Sequence, residues 1–168
     1  MLRAILFAAL LLAPLPAAAQ MTHQRLTEIV IGLDPNAELA GNAMRLTVED
    51  IPVAVVTDEV HDRMRIMVMI RSASGITPEE MLRMMQANFD SALDARYAIA
   101  RNRLIGVFIH PLGSLDKDQF LSGLGQTVNL ALSYGSAYTS GGLTFGGGDS
   151  AELHRQLIEK LLKKGEKI

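Results

Sequence analysis

Apolar and polar positions along this chain repeat with two periods, one typical of helices and one typical of strands. The predicted strands are residues 44–49, 51–57 and 64–71, followed by a hairpin of residues 96–100 and 104–109. The predicted helices are residues 22–33, a segment that begins at Thr77, a segment that begins at Asp116 and ends at Gly135, and residues 150–164. Strands that follow one another in short runs pair through antiparallel hairpins. The pattern therefore predicts an α+β fold with an antiparallel sheet of about five strands, in the order α-β-β-β-α-β-β-α, plus a glycine-rich tail and a carboxy-terminal amphipathic helix.

Two of the predicted helices carry capping signals at their first residues. Thr77 is followed by Pro78 and Glu80, and Asp116 is followed three residues later by Gln119; both arrangements are typical of a capping box. Helical spacing then predicts which side chains are buried. These are Leu82, Met85, Phe89 and Leu93 in the first helix, and Phe120, Leu124, Val128, Ala131 and Leu132 in the second.

Residues 1–19 have the features of a secretory signal peptide. Arg3 supplies a positive charge, residues 5–13 are apolar and uncharged, and three alanines precede Gln20. The alternative is an uncleaved membrane anchor, but the apolar run is shorter than a helix that spans a hydrocarbon core of about 30 Å. We therefore expect an exported protein, in the periplasm or secreted beyond it, with no membrane association after cleavage.

The predicted organisation divides the rest of the chain into three parts. Residues 20–134 form the α+β domain, and residues 135–149 form a connection rich in glycine and serine. Residues 150–168 form the carboxy-terminal helix.

Composition excludes several functions. The 168 residues include 16 basic and 18 acidic side chains, for a formal net charge of −2, and such a balance is not typical of a nucleic-acid-binding protein. The chain has no cysteine, which excludes disulfides, thiolate metal sites and a cysteine nucleophile. An exported domain of this kind depends on core packing alone for its stability.

The predicted strand 64–71 is the most informative part of the sequence. One face carries Met64, Ile66, Val68 and Ile70, as expected of a core. The other face is half apolar, which is unusual for a solvated sheet face. We predict a partner-binding surface there, formed by Val56, Arg65, Met67, Met69 and Arg71, with Ala54 beside it. The last helix of the same chain, a second subunit or a partner protein could each cover this face.

Two further kinds of chemistry are alternatives to protein binding. His110 could serve a hydrolase-like site with Ser114 or Ser140 and an acid such as Asp116, although no nucleophile-turn motif is present. The methionines of the segments 64–69 and 81–85 could bind copper(I), which prefers soft sulfur ligands. Core filling is the simpler explanation for methionine. We expect no catalytic residues, no metal site and no cofactor.

The hairpin and the helix after it resemble a known group of bacterial proteins. The residues that carry the resemblance are Tyr97-Ala98-Ile99, the strand from Leu104 to Pro111, and the following Leu115, Phe120 and Leu124. In these segments, and in its order of elements, the chain resembles the YbjN-like family and the type III secretion chaperone-like fold, over roughly two-thirds of its length. The resemblance implies a non-enzymatic, often dimeric module. Its partner would be a segment of another protein or a second copy of the chain.

Overall fold

The computed structural model describes residues 20–135 and 151–168, without the side chains of residues 151–154. The helices are α1 (His23–Leu33), α2 (Pro78–Asp90), α3 (Lys117–Ser133) and α4 (Ala151–Gly165). The strands are β1 (Glu38–Ala40), β2 (Ala43–Val48), β3 (Ile51–Asp58), β4 (Arg63–Ser72), β5 (Arg96–Ala100) and β6 (Arg103–His110). The predicted signal peptide and nearly all of the predicted glycine-rich connection lie outside the described residues.

The strands form one antiparallel sheet in the order β1-β2-β3-β4-β6-β5. The predicted α+β fold and its order of elements are confirmed. The sheet has one strand more than predicted, because β1 lies between the predicted helix 22–33 and the predicted strand 44–49, where no strand was expected. All three residues of β1 are exposed, so the segment has no apolar alternation to identify it as a strand.

Two tight turns set the register of the sheet. Glu49 and Asp50 join β2 to β3, and Arg101 and Asn102 join β5 to β6; all four have positive φ angles, between 48° and 61°. Two consecutive residues of this kind are typical of a type I′ turn, whose twist matches that of the strands it joins. Each turn is closed by a directly paired couple, Val48 with Ile51 in the first and Ala100 with Arg103 in the second.

One face of the sheet is covered by helices, and we call it the covered face. Its side chains are Met44, Leu46, Val53, Val55, Met64, Ile66, Val68, Leu104 and Phe108, and none is more than 5% exposed. Helix α3 crosses this face closely because glycines leave room for it. A Cβ atom at Gly123 would lie 2.7 Å from the Phe108 ring, and one at Gly106 would lie 3.2 Å from the Thr127 carbonyl oxygen.

Helix α4 packs on α3 and α1 and therefore lies on the covered side of the sheet. Its Leu157 and Leu161 are buried in the core. The Lys164 ammonium donates a hydrogen bond to the Leu33 carbonyl oxygen, and Lys117 donates one to the Gly165 carbonyl oxygen at 2.8 Å. Coverage of the second sheet face by the last helix, one of the three expected arrangements, is thus wrong.

Helix α2 lies at the β5 edge of the sheet, and few of its side chains are buried. The predicted capping box between Thr77 and Glu80 is confirmed. The predicted buried face is wrong, because Met84 and Ala87 are the buried side chains of this helix. Of the predicted set, Leu82 is 60% exposed, Met85 50% and Phe89 66%.

The side chain of Asn88 joins α2 to the sheet edge. Its amide oxygen accepts a hydrogen bond from the Tyr97 backbone N–H at 2.6 Å, and its amide nitrogen donates one to the Tyr97 carbonyl oxygen at 3.2 Å. These are the two bonds that a further strand would make with that residue of β5. The amide therefore occupies the edge of the sheet at Tyr97.

Candidate functional site: the open face of the sheet

The second face of the sheet carries an apolar centre, and we call it the open face. Its side chains come from alternate positions of the strands and include Arg45, Ala54, Val56, Asp58, Arg63, Arg65, Met67, Met69, Arg96, Ala98, Arg103, Ile105, Val107 and Ile109. Met69 is 58% exposed and Ile109 is 52% exposed. Helices α1, α3 and α4 all lie on the other side, so no helix within residues 20–135 and 151–168 covers this centre.

Cross-strand pairing arranges the open face in rows. One row runs Arg45–Ala54–Met67–Val107–Arg96 across five strands, with an arginine at each end and apolar side chains between. The three central members lie on strands that are about 4.8 Å apart. The row therefore forms an apolar strip about 10 Å wide between cationic ends.

The neighbouring row adds a charge to the middle of the face. Arg65 lies between Val56 on β3 and Ile109 on β6. This arginine makes no ion pair or hydrogen bond with the part of the chain that the structure describes. A guanidinium with no bound carboxylate among apolar neighbours is well placed to bind an anionic group.

Four of the five predicted partner-binding residues lie together, and one does not. Val56, Arg65, Met67 and Met69 share the open face. Arg71 pairs with Leu104, a residue of the covered face, because the register shifts between Met69 and Arg71. A β-bulge places two residues opposite one and reverses the alternation that follows. The expected placement of Arg71 beside Met69 is therefore wrong.

The Arg71 side chain instead contacts structure at the end of α3. Its guanidinium donates hydrogen bonds to the Tyr134 hydroxyl at 3.4 Å and to the Ser72 carbonyl oxygen at 3.2 Å. Arg71 thus contributes to the helix side of the molecule.

A small recess opens beside Arg65 at the end of the β3–β4 hairpin. It measures about 340 Å³ and is lined by Asn42, Val56, Thr57, Asp58, His61, Arg63 and Arg65. Asp58 is already paired, since its carboxylate lies 2.7 Å from the Nδ1 atom of His61. The hydrogen bond from the His61 side chain, followed by one from its backbone N–H, lowers the pKa of Asp58. The guanidinium groups of Arg63 and Arg65 have no carboxylate partner within the described chain.

Sequence reasoning missed the part of the open face that β6 and β5 contribute. Ile105, Val107 and Ile109 are apolar members of this face, and Arg96 ends one row. The signal was present: residues 104–109 are apolar at every position, and a strand of that kind has two apolar faces.

His110 lies on the covered side of the sheet rather than on the open face, because it pairs with Met64. Its Nδ1 atom lies 2.8 Å from the Pro111 carbonyl oxygen, and its ring stacks on Phe108 with centroids 6.0 Å apart. Asp94, Asp116 and Asp118 line a cleft of about 670 Å³ with it. No carboxylate or hydroxyl among the described residues forms a hydrogen bond with this imidazole.

The methionines of the copper(I) alternative are divided between different environments. Met64 and Met84 are buried in the core, whereas Met67 and Met69 lie on the open face. The Met69 sulfur lies 2.9 Å from the Arg103 guanidinium, and a cation at that position disfavours a bound metal ion. Within the described residues, no three histidine, aspartate or glutamate side chains group closely enough to hold a metal ion.

None of the helices within residues 20–135 and 151–168 has both the length and the apolar character that a bilayer-spanning helix requires.

Comparison with known proteins identifies the fold. No protein-family model and no curated protein matches the sequence, so membership of the YbjN-like family stays a prediction. Among solved structures, a chain in the crystal structure of the ExsC-ExsE complex matches with a TM-score of 0.51 and 10% sequence identity. The alignment covers 65% of this chain and 90% of that chain. At this identity the likeness concerns the fold: the chain has a type III secretion chaperone-like fold.

Proposed function

We propose that this protein is an exported, non-enzymatic, chaperone-like module that buries an apolar segment of a partner protein against its open face. The observation that carries the proposal is the apolar centre of that face, which no helix in the described parts of the chain covers. Large exposed apolar patches on soluble proteins typically mark interaction sites. Methionine at such a site suits varied partners because its side chain is unbranched and flexible.

The fold supports the same function. The structural neighbour is a chain of the ExsC-ExsE complex, and in the present chain one face of the sheet is free of helices within the described residues. The alternatives have less support. His110 has no hydroxyl or carboxylate partner within the described chain, and the methionine sulfurs are dispersed over the core and two surfaces.

Site-specific photo-crosslinking tests the proposal in cells. A photoreactive side chain replaces Met69 on the open face, where the native residue is 58% exposed. The matched control replaces Ile31, which is 43% exposed on α1 on the opposite side. We expect discrete protein adducts from position 69 and none from position 31. Adding Met67→Asp should remove the adducts, because a carboxylate in the apolar strip is costly to bury.

Two outcomes would contradict the proposal. Equal adducts from both positions would show nonspecific contact, and adducts that persist after Met67→Asp would place the binding surface elsewhere. Native-like thermal unfolding of Met67→Asp is the control for folding.

We also propose that the protein forms a homodimer through α2. The observation that favours a second surface is the apolar stripe Leu82, Met85 and Phe89, all at least half exposed on this helix. These residues follow helical spacing and form a continuous ridge. Such ridges pack against one another in a symmetric pair, in which each copy contributes the same residues.

Mass measurement in solution tests the dimer. We expect light scattering to give twice the chain mass for the wild type and the single mass for Leu82→Asp/Phe89→Asp. The control is Met69→Asp on the open face, which should stay dimeric. A wild type that is monomeric at all concentrations would overturn this proposal without affecting the open face.

Export is the third part of the proposal and has its own test. The leader-like residues 1–19 support it. Amino-terminal sequencing of the protein recovered from a Gram-negative host should begin at Gln20 in the periplasmic fraction. Recovery of Met1 in the cytosolic fraction would contradict export.

A further inference from the structure

The open face has a charge pattern that restricts its partner, and this inference rests on the proposed function. The arginines of this face are Arg45, Arg63, Arg65, Arg96 and Arg103, whereas its carboxylates are Glu38 and Asp58. The chain as a whole has a formal net charge of −2. The basic character therefore belongs to this surface and not to the protein in general.

Existing contacts leave the two arginines beside the recess available. Glu38 pairs with Arg45 at 3.6 Å, and both side chains are more than 70% exposed, so the pair is weak and can exchange for another carboxylate. Asp58 is held by His61 at 2.7 Å. Arg63 donates only to the Asp62 carbonyl oxygen within the described chain, and Arg65 has no bonded partner there.

The acidic side chains near β6 lie on the helix side of the sheet and not on the open face. Asp94, Asp116 and Asp118 line the larger cleft, together with His110 and with Ser122 of α3. Arg96 already donates hydrogen bonds to the carbonyl oxygens of Leu93 and Ala95. On the open face, a partner carboxylate is therefore attracted most strongly at the β3–β4 end, where Arg63 and Arg65 have no carboxylate partner among the described residues.

We propose that the open face binds a protein segment with an acidic end and an apolar continuation. The acidic end lies in the recess between Arg63 and Arg65, where a planar guanidinium can bind a carboxylate through two parallel hydrogen bonds. The apolar side chains of the segment lie on the strip formed by Ala54, Met67 and Val107. Electrostatic complementarity of this kind selects partners and orients them on the surface.

Binding of synthetic peptides tests the inference directly. Three fluorescent peptides share one run of about six leucine and methionine residues, which is long enough to cross the strip when extended. They differ at one end, which carries two glutamates, two glutamines or two lysines. We expect the glutamate peptide to bind about tenfold more tightly than the lysine peptide, and the difference to shrink in about 0.5 M salt because screening weakens exposed ion pairs.

Charge reversal in the protein is the second arm. Arg63→Glu/Arg65→Glu should reverse the order of the peptides. Arg83→Glu/Arg101→Glu changes the net charge equally at exposed positions off the open face, on α2 and in the β5–β6 turn, and should leave the order unchanged. Matching thermal unfolding curves for the variants confirm that each is folded.

The outcomes separate this inference from the proposed function. Equal binding of all three peptides, with loss of binding in Met67→Asp, would overturn the acidic preference and support apolar docking. Binding that Met67→Asp leaves unchanged, or no binding of any peptide, would overturn both. A preference for glutamate that both double variants reverse equally would show a general charge effect and would overturn the assignment to the recess.

Discussion

The two faces of this sheet differ although the same strands build them. On β4, Met64, Ile66 and Val68 are fully buried on the covered face. The next residue, Met69, lies on the open face and is 58% exposed. Helix α3 packs on the first side, through close contacts at Gly106 and Gly123.

The difference teaches that hydrophobicity alone does not identify a core. Both faces of β4 and β6 carry apolar side chains. Within the described strands, the open face also carries arginines and has no glycine at which a helix could approach closely. A sheet face that is apolar, cationic and uncovered suits a reversible contact. Its arginines keep the face hydrated when no partner is bound.

The largest expected difference between the faces is their contribution to stability. Ile66→Ala removes a fully buried side chain and should lower the free energy of unfolding by about 2–5 kcal/mol. Met69→Ala on the open face should change it by less than about 0.5 kcal/mol. Urea unfolding of both variants measures the two values. A loss above about 1 kcal/mol for Met69→Ala would mean that this face is buried in solution, which would break the comparison.

The variant Asn88→Ala tests whether α2 protects the β5 edge of the sheet. The substitution removes both side-chain hydrogen bonds to the Tyr97 backbone and should cost about 1–3 kcal/mol, since it leaves a partly buried N–H unpaired. Hydrogen exchange at the Tyr97 amide should accelerate. Gln86→Ala, at an exposed position of the same helix, serves as the control. Unchanged exchange at Tyr97 would show that α2 does not protect the β5 edge.

A larger side chain should destabilise the covered face more than the open face. Gly123→Ala places a methyl group 2.7 Å from the Phe108 ring. The strain of overpacking, about 1–3 kcal/mol, exceeds the gain of up to about 1 kcal/mol from replacing a helical glycine. Ala98→Val adds volume on the open face and should be close to neutral. Thermal unfolding compares the two, and a stabilised Gly123→Ala would show that α3 can move away from the sheet.

The smallest expected effect concerns a hydroxyl on the covered side. Burial raises the pKa of Tyr97 to about 12, and its hydroxyl donates a hydrogen bond to the Leu130 carbonyl oxygen at 2.9 Å. The fold favours the neutral phenol, so its contribution is complete below pH 10 and is lost as the pH rises from 10 towards 12. Tyr97→Phe should cost about 1 kcal/mol at neutral pH and should reduce the alkaline loss of stability. An identical alkaline profile in both proteins would contradict this role of Tyr97.

Local signals predicted much of the fold. Alternating or continuous apolar segments identified five of the six strands, and capping residues identified the starts of α2 and α3, because a capping box forms within a single turn. Strand β1 was missed because its residues are all exposed. The candidate site was predicted in part, since Val56, Arg65, Met67 and Met69 alternate within their strands and share a face.

The remaining features depend on contacts between distant parts of the chain. Arg71 turns to the helix side because the pairing of β4 with β6 includes a bulge, and no local pattern marks that register shift. The apolar stripe of α2 is exposed because the helix meets the sheet only at its edge, through Met84, Ala87 and Asn88.

The sequence by itself determined five of the six strands, the four helices and the shared face of Val56, Arg65, Met67 and Met69, because these follow from local periodicity and capping chemistry. The tertiary structure alone decided which apolar face is covered. Helix α4 packs on α3 and α1 and leaves the Met67 face open, and that choice depends on close packing between residues far apart in the chain. Periodicity shows where a surface is apolar, whereas only packing decides whether that surface is buried in the core or stays exposed to a partner.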